Sequence, residues 1–155
     1  STDVAAVIDQ AVALAEQATP ESGAVAVVRD YAALPRVSVD RHKLTEILVN
    51  LITNARQAME KARVAEPRLG LRLAAEGGRL CIEVSDNGVG IPHENLAKIF
   101  HHGFTTRSDG HGFGLHSSAN AAVEMHGRLR AESPGTGGGA KFTLDLPLET
   151  ATVAA

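Results

Sequence analysis

The chain has 155 residues, 44% of them apolar, enough for one globular domain with a real core and too few for two full ones. Its 15 basic and 18 acidic residues leave a net charge of −3 without charge blocks, which argues against a nucleic-acid or membrane surface and for a specific small ligand. A lone cysteine, Cys81, excludes an internal disulfide, and no apolar run approaches the roughly 18 residues of a membrane span, so a soluble cytoplasmic domain is expected. No secretory leader opens the sequence, and Ser1 in place of methionine suggests a piece excised from something longer.

Residues 3 to 18, "DVAAVIDQAVALAEQA", place Val4, Ile8, Val12 and Ala15 at helical spacing, and Thr19-Pro20 ends the run. "AVAVVRDY" (24–31) is a short β-rich segment, after which Asp40 caps a long helix over about 41–63. "RLGLRLAAE" (68–76) and "RLCIEVSD" (79–86) alternate around Gly77-Gly78 as a hairpin whose second strand ends at Asp86. A polar Gly- and His-bearing segment from Pro92 to Gly112 holds only a short helical stretch near "ENLAKIF" and reads as a mobile loop. "FGLHSSANAAVEMHG" (113–127) is helical with Gly127 at its C-terminal end, and "RLRAES" and "AKFTLDLP" form strands around the turn "PGTGGG". The tail from Glu149 is expected to fray. Amphipathic helices alternating with strands make one sheet with helices on one face the economical architecture.

On the long helix, successive residues fall about 100° apart, so Leu44, Ile47, Leu48, Leu51, Ile52, Ala55 and Met59 form one apolar stripe. Lys43, Glu46, Asn50, Asn54, Gln57 and Lys61 line one flank of it. Asn54 lies at the border, where its amide can offer oxygen to a hard cation or donate from nitrogen. A polar stripe is more often a solvated helix face, yet two asparagines in a helix interior are costly enough to hint at another requirement.

Two glycine loops follow this helix in sequence. "SDNGVGIP" (85–92) leaves a strand, so that Asp86 can accept from a ligand's amino group while Gly88 and Gly90 let the backbone approach a flat ligand. Alone, Asp-Asn-Gly is more often a turn. "DGHGFGLHSS" puts Gly110, Gly112 and Gly114 directly before a helix, whose free N–H groups attract phosphate. Neither loop has the spacing or the preceding strand of a dinucleotide-binding fingerprint.

Taken in order, these motifs resemble the catalytic ATP-binding domain of sensor histidine kinases, within the wider family that includes DNA gyrase, MutL and the heat-shock chaperone ATPases. The likeness runs from about Asp40 to Pro147: an N box in "HKLTEILVNLITNARQAM", a G1 box in "DNGVGI", an F box in "IFHHGFTTR", a G2 box in "GHGFGLH" and a closing hairpin in "GGGAKFTLDLP". The "FTTR" and "GHGFGLHSS" wording is similar to the nitrogen-regulator-like kinases. The resemblance implies the Bergerat fold, an α+β two-layer sandwich with a mixed, mostly antiparallel sheet of about five strands, about three helices on one face and an ATP lid over about 92–112.

It also implies ATP and Mg²⁺ as ligands. Asn54 would hold Mg²⁺, Asn50 would support phosphates or metal waters, and Asp86 would take the adenine amino group. Gly88, Gly90 and Ile91 would shape the purine pocket. Phe104, Thr105, Thr106, Gly110, His111, Gly112, Phe113, Gly114 and Leu115 would line the nucleotide from the lid side, with Phe100 and Phe104 as lid anchors. Arg107 stands where related sequences often carry lysine and is the candidate for γ-phosphate charge stabilisation. Two departures stand out: Gln57 replaces a common lysine or arginine, and Ala140 replaces a threonine that reaches adenine through water.

Hydrolytic relatives place glutamate where this chain has Asn50, and asparagine cannot act as a general base, which favours a phosphotransferase. Glu46 lies about two turns from Asn54, too far to replace it. The implied partners are a histidine-bearing dimerisation domain and, indirectly, a response-regulator receiver domain, with no nucleic acid and no direct membrane contact. None of the seven histidines lies in an acceptor context, although "HENL" at 93 superficially resembles one, and His101, His102 and His111 leave a weaker zinc reading open. The rivals are a nucleotide-binding regulatory module and an anti-sigma-factor-type serine kinase.

Overall fold

A computed structural model describes residues 2–101 and 114–149. Its elements are helix α1 (Val4–Ala18), strand β1 (Ala26–Tyr31), helix α2 (Arg41–Lys61), strands β2 (Arg68–Glu76) and β3 (Arg79–Asp86), helix α3 (Gly114–Glu124), and strands β4 (Arg128–Glu132) and β5 (Ala140–Pro147). The five strands form one sheet in the order β1-β2-β3-β5-β4. β1 runs parallel to β2, and every other pairing is antiparallel.

The helices begin where the sequence supplies caps. The Asp3 carboxylate accepts from Ala6 N at 3.3 Å and Asp40 from Lys43 N at 3.0 Å, each satisfying a first-turn N–H. At the hairpin, Gly77 and Gly78 both have positive φ, 56° and 75°, as a two-residue turn that matches strand twist requires. β2 and β3 then pair from Glu76 and Arg79 back to Leu69 and Asp86.

Each central strand buries alternate residues. Leu69, Leu71 and Leu73 of β2, Leu80, Ile82 and Val84 of β3, and Phe142, Leu144 and Leu146 of β5 face the helices and are almost wholly buried. Against them lies the α2 stripe Leu44, Ile47, Leu48, Leu51, Ile52, Ala55 and Met59, none more than 2% exposed. Each buried Leu, Ile or Met of the stripe contributes about 1.5–3 kcal/mol. The stripe therefore fixes the rotation of α2 about its own axis, and with it the directions of Asn50 and Asn54. α1 adds Val7 and Ala11 to the four expected core positions.

Arg56, also on α2, is only 5% exposed. Its Nε donates to Thr19 Oγ1 at 2.7 Å and its Nη2 to the Gly23 carbonyl at 3.1 Å, while Thr19 Oγ1 donates to the Ala15 carbonyl at 2.7 Å. The guanidinium thus ties the segment that follows α1 to α2. The opposite face of the sheet is polar, with Arg79–Asp145 at 2.7 Å, Arg72–Glu83 at 3.3 Å and Lys141–Glu132 at 3.4 Å spanning neighbouring strands.

Three boundaries differ from expectation. The stretch near "ENLAKIF" is a 3-10 turn at His93–Asn95 followed by further turns rather than a helix. α3 stops at Glu124, and His126 rather than Gly127 takes the left-handed conformation, at φ 64°. The Glu149 carbonyl accepts from Ser38 N at 2.7 Å, so that residue is held; residues 150–155 lie outside the described ones.

Candidate functional site

The last residue of β3 is Asp86, and its Oδ1 accepts from Gly88 N at 2.8 Å. "SDNG" is therefore an Asx turn, and the turn itself aims the carboxylate. Burial pushes the Asp86 carboxyl up to about 6, with the Gly88 and Ala140 N–H groups pulling the other way. Asp86 keeps accepting capacity beyond the Gly88 bond, in surroundings where an unmet charge is costly. Asn87 is purely structural: its Oδ1 accepts from Arg68 N and its Nδ2 donates to the Glu66 carbonyl, both at 3.0 Å, fastening the start of β2 to the end of β3.

The two glycines of this loop answer to protein rather than to open space. A Cβ on Gly88 would lie 2.6 Å from the Ala58 carbonyl carbon and 2.7 Å from Met59 N, so its absence lets the loop touch the α2 backbone. Val89 N donates to the Ala58 carbonyl at 3.1 Å at that contact. Gly90, at φ 76°, abuts the Gly135 carbonyl, and Gly137 N donates to the Val89 carbonyl at 2.6 Å. The "PGTGGG" turn thus braces the Asp86 loop.

Ser133 organises that brace. Its Oγ donates to the Gly139 carbonyl at 2.7 Å and accepts from Ile91 N at 3.0 Å and Gly135 N at 3.2 Å. Removing the hydroxyl leaves these groups unmet at a cost of about 1–3 kcal/mol. Ser133→Ala is accordingly expected to lower the denaturant midpoint and to raise amide exchange at Ile91; an unchanged exchange rate there would refute the bracing role. Sequence reasoning missed Ser133, although Ser-Pro-Gly is a turn signal.

On α2, Asn50 and Asn54 are half-buried and point along one flank of the apolar stripe. Asn50 Nδ2 donates to Ser118 Oγ at 3.1 Å and reaches the Gly114 carbonyl at 3.5 Å, pinning the first turn of α3. Among the described residues the Asn54 amide makes no hydrogen bond, which leaves its oxygen available to a ligand. Gln57 Oε1 and Thr53 Oγ1 are buried without a hydrogen-bond partner. Gln57 shares its helix flank with both asparagines, so an unmet acceptor stands where a bound ligand or its water can supply a donor. This donor set of hard oxygens fits Mg²⁺ and the polar edge of a nucleotide.

Glu46 is solvent-exposed and pairs with His42 at 3.0 Å, on the outside of α2. Lys43 and Glu124 join α2 to α3 at 2.8 Å. Gly114 and Leu115 open α3, Ile91 follows the Asp86 loop, and Phe100 packs edge-on to Phe142 with ring centroids 6.2 Å apart. Phe104, Thr105, Thr106, Arg107, Gly110, His111, Gly112 and Phe113 lie outside the described residues, as does His102 of the zinc reading. Ala140 stands directly opposite Asp86 in the β3–β5 register.

A cleft of about 390 Å³, bordered by Asp86, Ser85, Glu132, Ser133 and Lys141, opens toward the polar face of the sheet, and neither asparagine lines it. The asparagines stand instead on α2, which packs against both β3, the strand that ends in Asp86, and α3, to which Asn50 is bonded.

A family profile described as histidine kinase-, DNA gyrase B- and HSP90-like ATPase matches residues 39–150, which span every one of these groups. The chain belongs to that family. It is an ATP-binding domain of the histidine-kinase type. The C4-dicarboxylate transport sensor protein DctS of Rhodobacter capsulatus is 38% identical over 115 residues, covering 74% of this chain and 17% of that protein. The sensor histidine kinase ZraS of Klebsiella oxytoca is 32% identical over 148 residues, covering 96% of this chain and 31% of that protein. The chain thus spans less than a third of these relatives. Full-length ShkA in complex with AMPPNP superposes with a TM-score of 0.82 at 26% identity, over 98% of this chain and 31% of ShkA. The mycobacterial sensor histidine kinase MprB shares the fold, with a TM-score of 0.81 at 21% identity over 97% of this chain and 99% of that one. No helix among the described residues is long and apolar enough to cross a membrane.

Proposed function

We propose that this domain binds Mg·ATP and donates the γ-phosphoryl group to a histidine on a separate dimerisation domain, in two-component signalling that ends on a receiver domain. The observation that carries the reading is Asn50. The residue one turn before the proposed metal-binding Asn54 is an amide with its nitrogen engaged by Ser118 and Gly114, and it cannot take a proton from water. Glu46, the neighbouring acid on that flank, faces solvent in its pair with His42. ATP held here meets no general base on α2, so water attacks slowly and the γ-phosphoryl remains available to a better-placed nucleophile.

The residues take the roles that the family resemblance implies. Asp86 accepts from the adenine amino group and Ile91 lines the purine. Asn54 would hold Mg²⁺, and Asn50 and Gln57 would serve its waters or the phosphates. The glycines leading to Gly114 and the free N–H groups entering Leu115 receive the phosphate oxygens. Mg²⁺, when bound, would supply charge neutralisation at the phosphates. Arg107 stabilises the charge that spreads over the transferring group.

ZraS, named above, is a sensor histidine kinase, which supports this reading over a serine kinase or a regulatory module. Purified protein is expected to bind Mg·ATP, hydrolyse it slowly, and label a separately supplied histidine-bearing helical hairpin from γ-labelled ATP. Rapid multiple-turnover hydrolysis, or no phosphohistidine with a competent hairpin, would overturn it.

A further inference from the structure

We propose that His116 is a positioning residue that holds the first turn of α3, and with it the helix end proposed to receive phosphate, at a fixed distance from Asp86. The inference rests on the nucleotide reading above. His116 Nδ1 lies 3.0 Å from the Phe100 carbonyl oxygen. A carbonyl only accepts, so Nδ1 carries the hydrogen. Nε2 lies 3.2 Å from Asn120 Nδ2, one turn later on α3, and accepts from it. These partners suit a hydrogen on Nδ1 and hold the ring at both nitrogens.

Phe100 is itself anchored. Its ring meets Phe142 edge to face, with an interplanar angle of 81°, and Phe142 is a core residue of β5 only 2% exposed. Phe142 pairs with Val84 of β3, two residues before Asp86. A continuous path thus runs from the strand that carries Asp86, through Phe142 and Phe100, to His116 on α3. Asn50 pins the same turn from α2 through Ser118, which is 1% exposed. Held from two sides, the turn keeps the distance between the amino-group acceptor and the phosphate-facing N–H groups. A misplaced helix end weakens contacts to phosphate without touching those to adenine.

The test compares wild type, His116→Ala and His116→Asn by calorimetric titration with Mg·ATP and, separately, with adenosine. Asparagine keeps an N–H at the place of Nδ1. Losing one such hydrogen bond is expected to weaken Mg·ATP about tenfold in His116→Ala, with adenosine affinity within about twofold of wild type and Mg·ATP affinity largely restored in His116→Asn. Unchanged Mg·ATP affinity in His116→Ala overturns the proposal, as does an equal loss for both ligands that asparagine does not rescue, which marks a merely structural histidine. Wild type that binds no Mg·ATP overturns the nucleotide reading itself and this proposal with it, a result distinct from either of those.

Discussion

Asp86→Asn is expected to weaken adenosine and ATP binding by roughly 10- to 100-fold while flattening the pH dependence of the domain's stability. The two effects have one cause. An ionised carboxylate accepts from the adenine amino group in a charge-assisted hydrogen bond worth about 1.5–3 kcal/mol, whereas asparagine can turn its own N–H₂ toward that amino group. In the free domain the same carboxylate is a burden, since burial raises it from 3.8 to about 6. An acid whose folded value exceeds its unfolded value binds more protons when folded, so stability is greatest below the unfolded value. It falls as pH rises from about 4 to about 6, and the penalty is complete above that. A shift of this size corresponds to an upper bound of about 3 kcal/mol. Unfolding measured at pH 4.5 and pH 7 should show a larger loss in wild type than in Asp86→Asn, the other carboxylates being common to both. Adenosine affinity of wild type should decline as pH drops through about 6, with no such decline in the variant. Parallel stability profiles would refute the cost of burying this charge, and retained adenosine affinity would refute its role toward adenine.

That pairing of cost and use explains why some of the molecule could be read from its residues and some could not. The stripe of α2 has a period of 3.6 and the strands have a period of 2, so both elements and their buried faces follow from spacing alone. Strand direction does not, because alternation is the same in parallel and antiparallel pairs; the parallel β1–β2 contact follows only from the placement of α2 between them. Asn54 was marked as a candidate by being an amide inside a helix, and Asp86 by its place at the end of an alternating strand before two glycines, although Asp-Asn-Gly alone suits an ordinary turn. The reason for Gly88 was not legible, since it lies in the backbone of Ala58 and Met59, about thirty positions away along the chain. Ser133 was hidden for the same reason: its hydroxyl matters through Ile91, which it meets only in the folded chain. Arg56 left a faint trace, falling about 40° from Ile52 on the helical wheel, on the apolar side where a charged residue needs partners. Thr19 and Gly23 supply them.

Asn54→Ala is expected to abolish the tightening of ATP binding by Mg²⁺ and to slow phosphotransfer by at least about 100-fold. The side chain sits on a helix whose rotation is fixed by seven buried apolar neighbours, so its removal leaves the fold standing and takes away only an exposed-edge oxygen. The Asn50 amide cannot substitute, because its nitrogen is already committed to Ser118 and its reorientation would release α3. Gln57, one turn further along, has a buried oxygen without a partner but lies at the other side of Asn50 on the helix flank. ATP affinity measured with Mg²⁺ and with a chelator should differ in wild type and coincide in Asn54→Ala. Adenosine, which needs no metal, should bind both proteins alike. Asn54→Asp retains a hard oxygen at the same place and should keep part of the Mg²⁺ effect. An undiminished Mg²⁺ effect in the alanine variant would move the metal site away from α2 and remove the ground for assigning Asn54 to it.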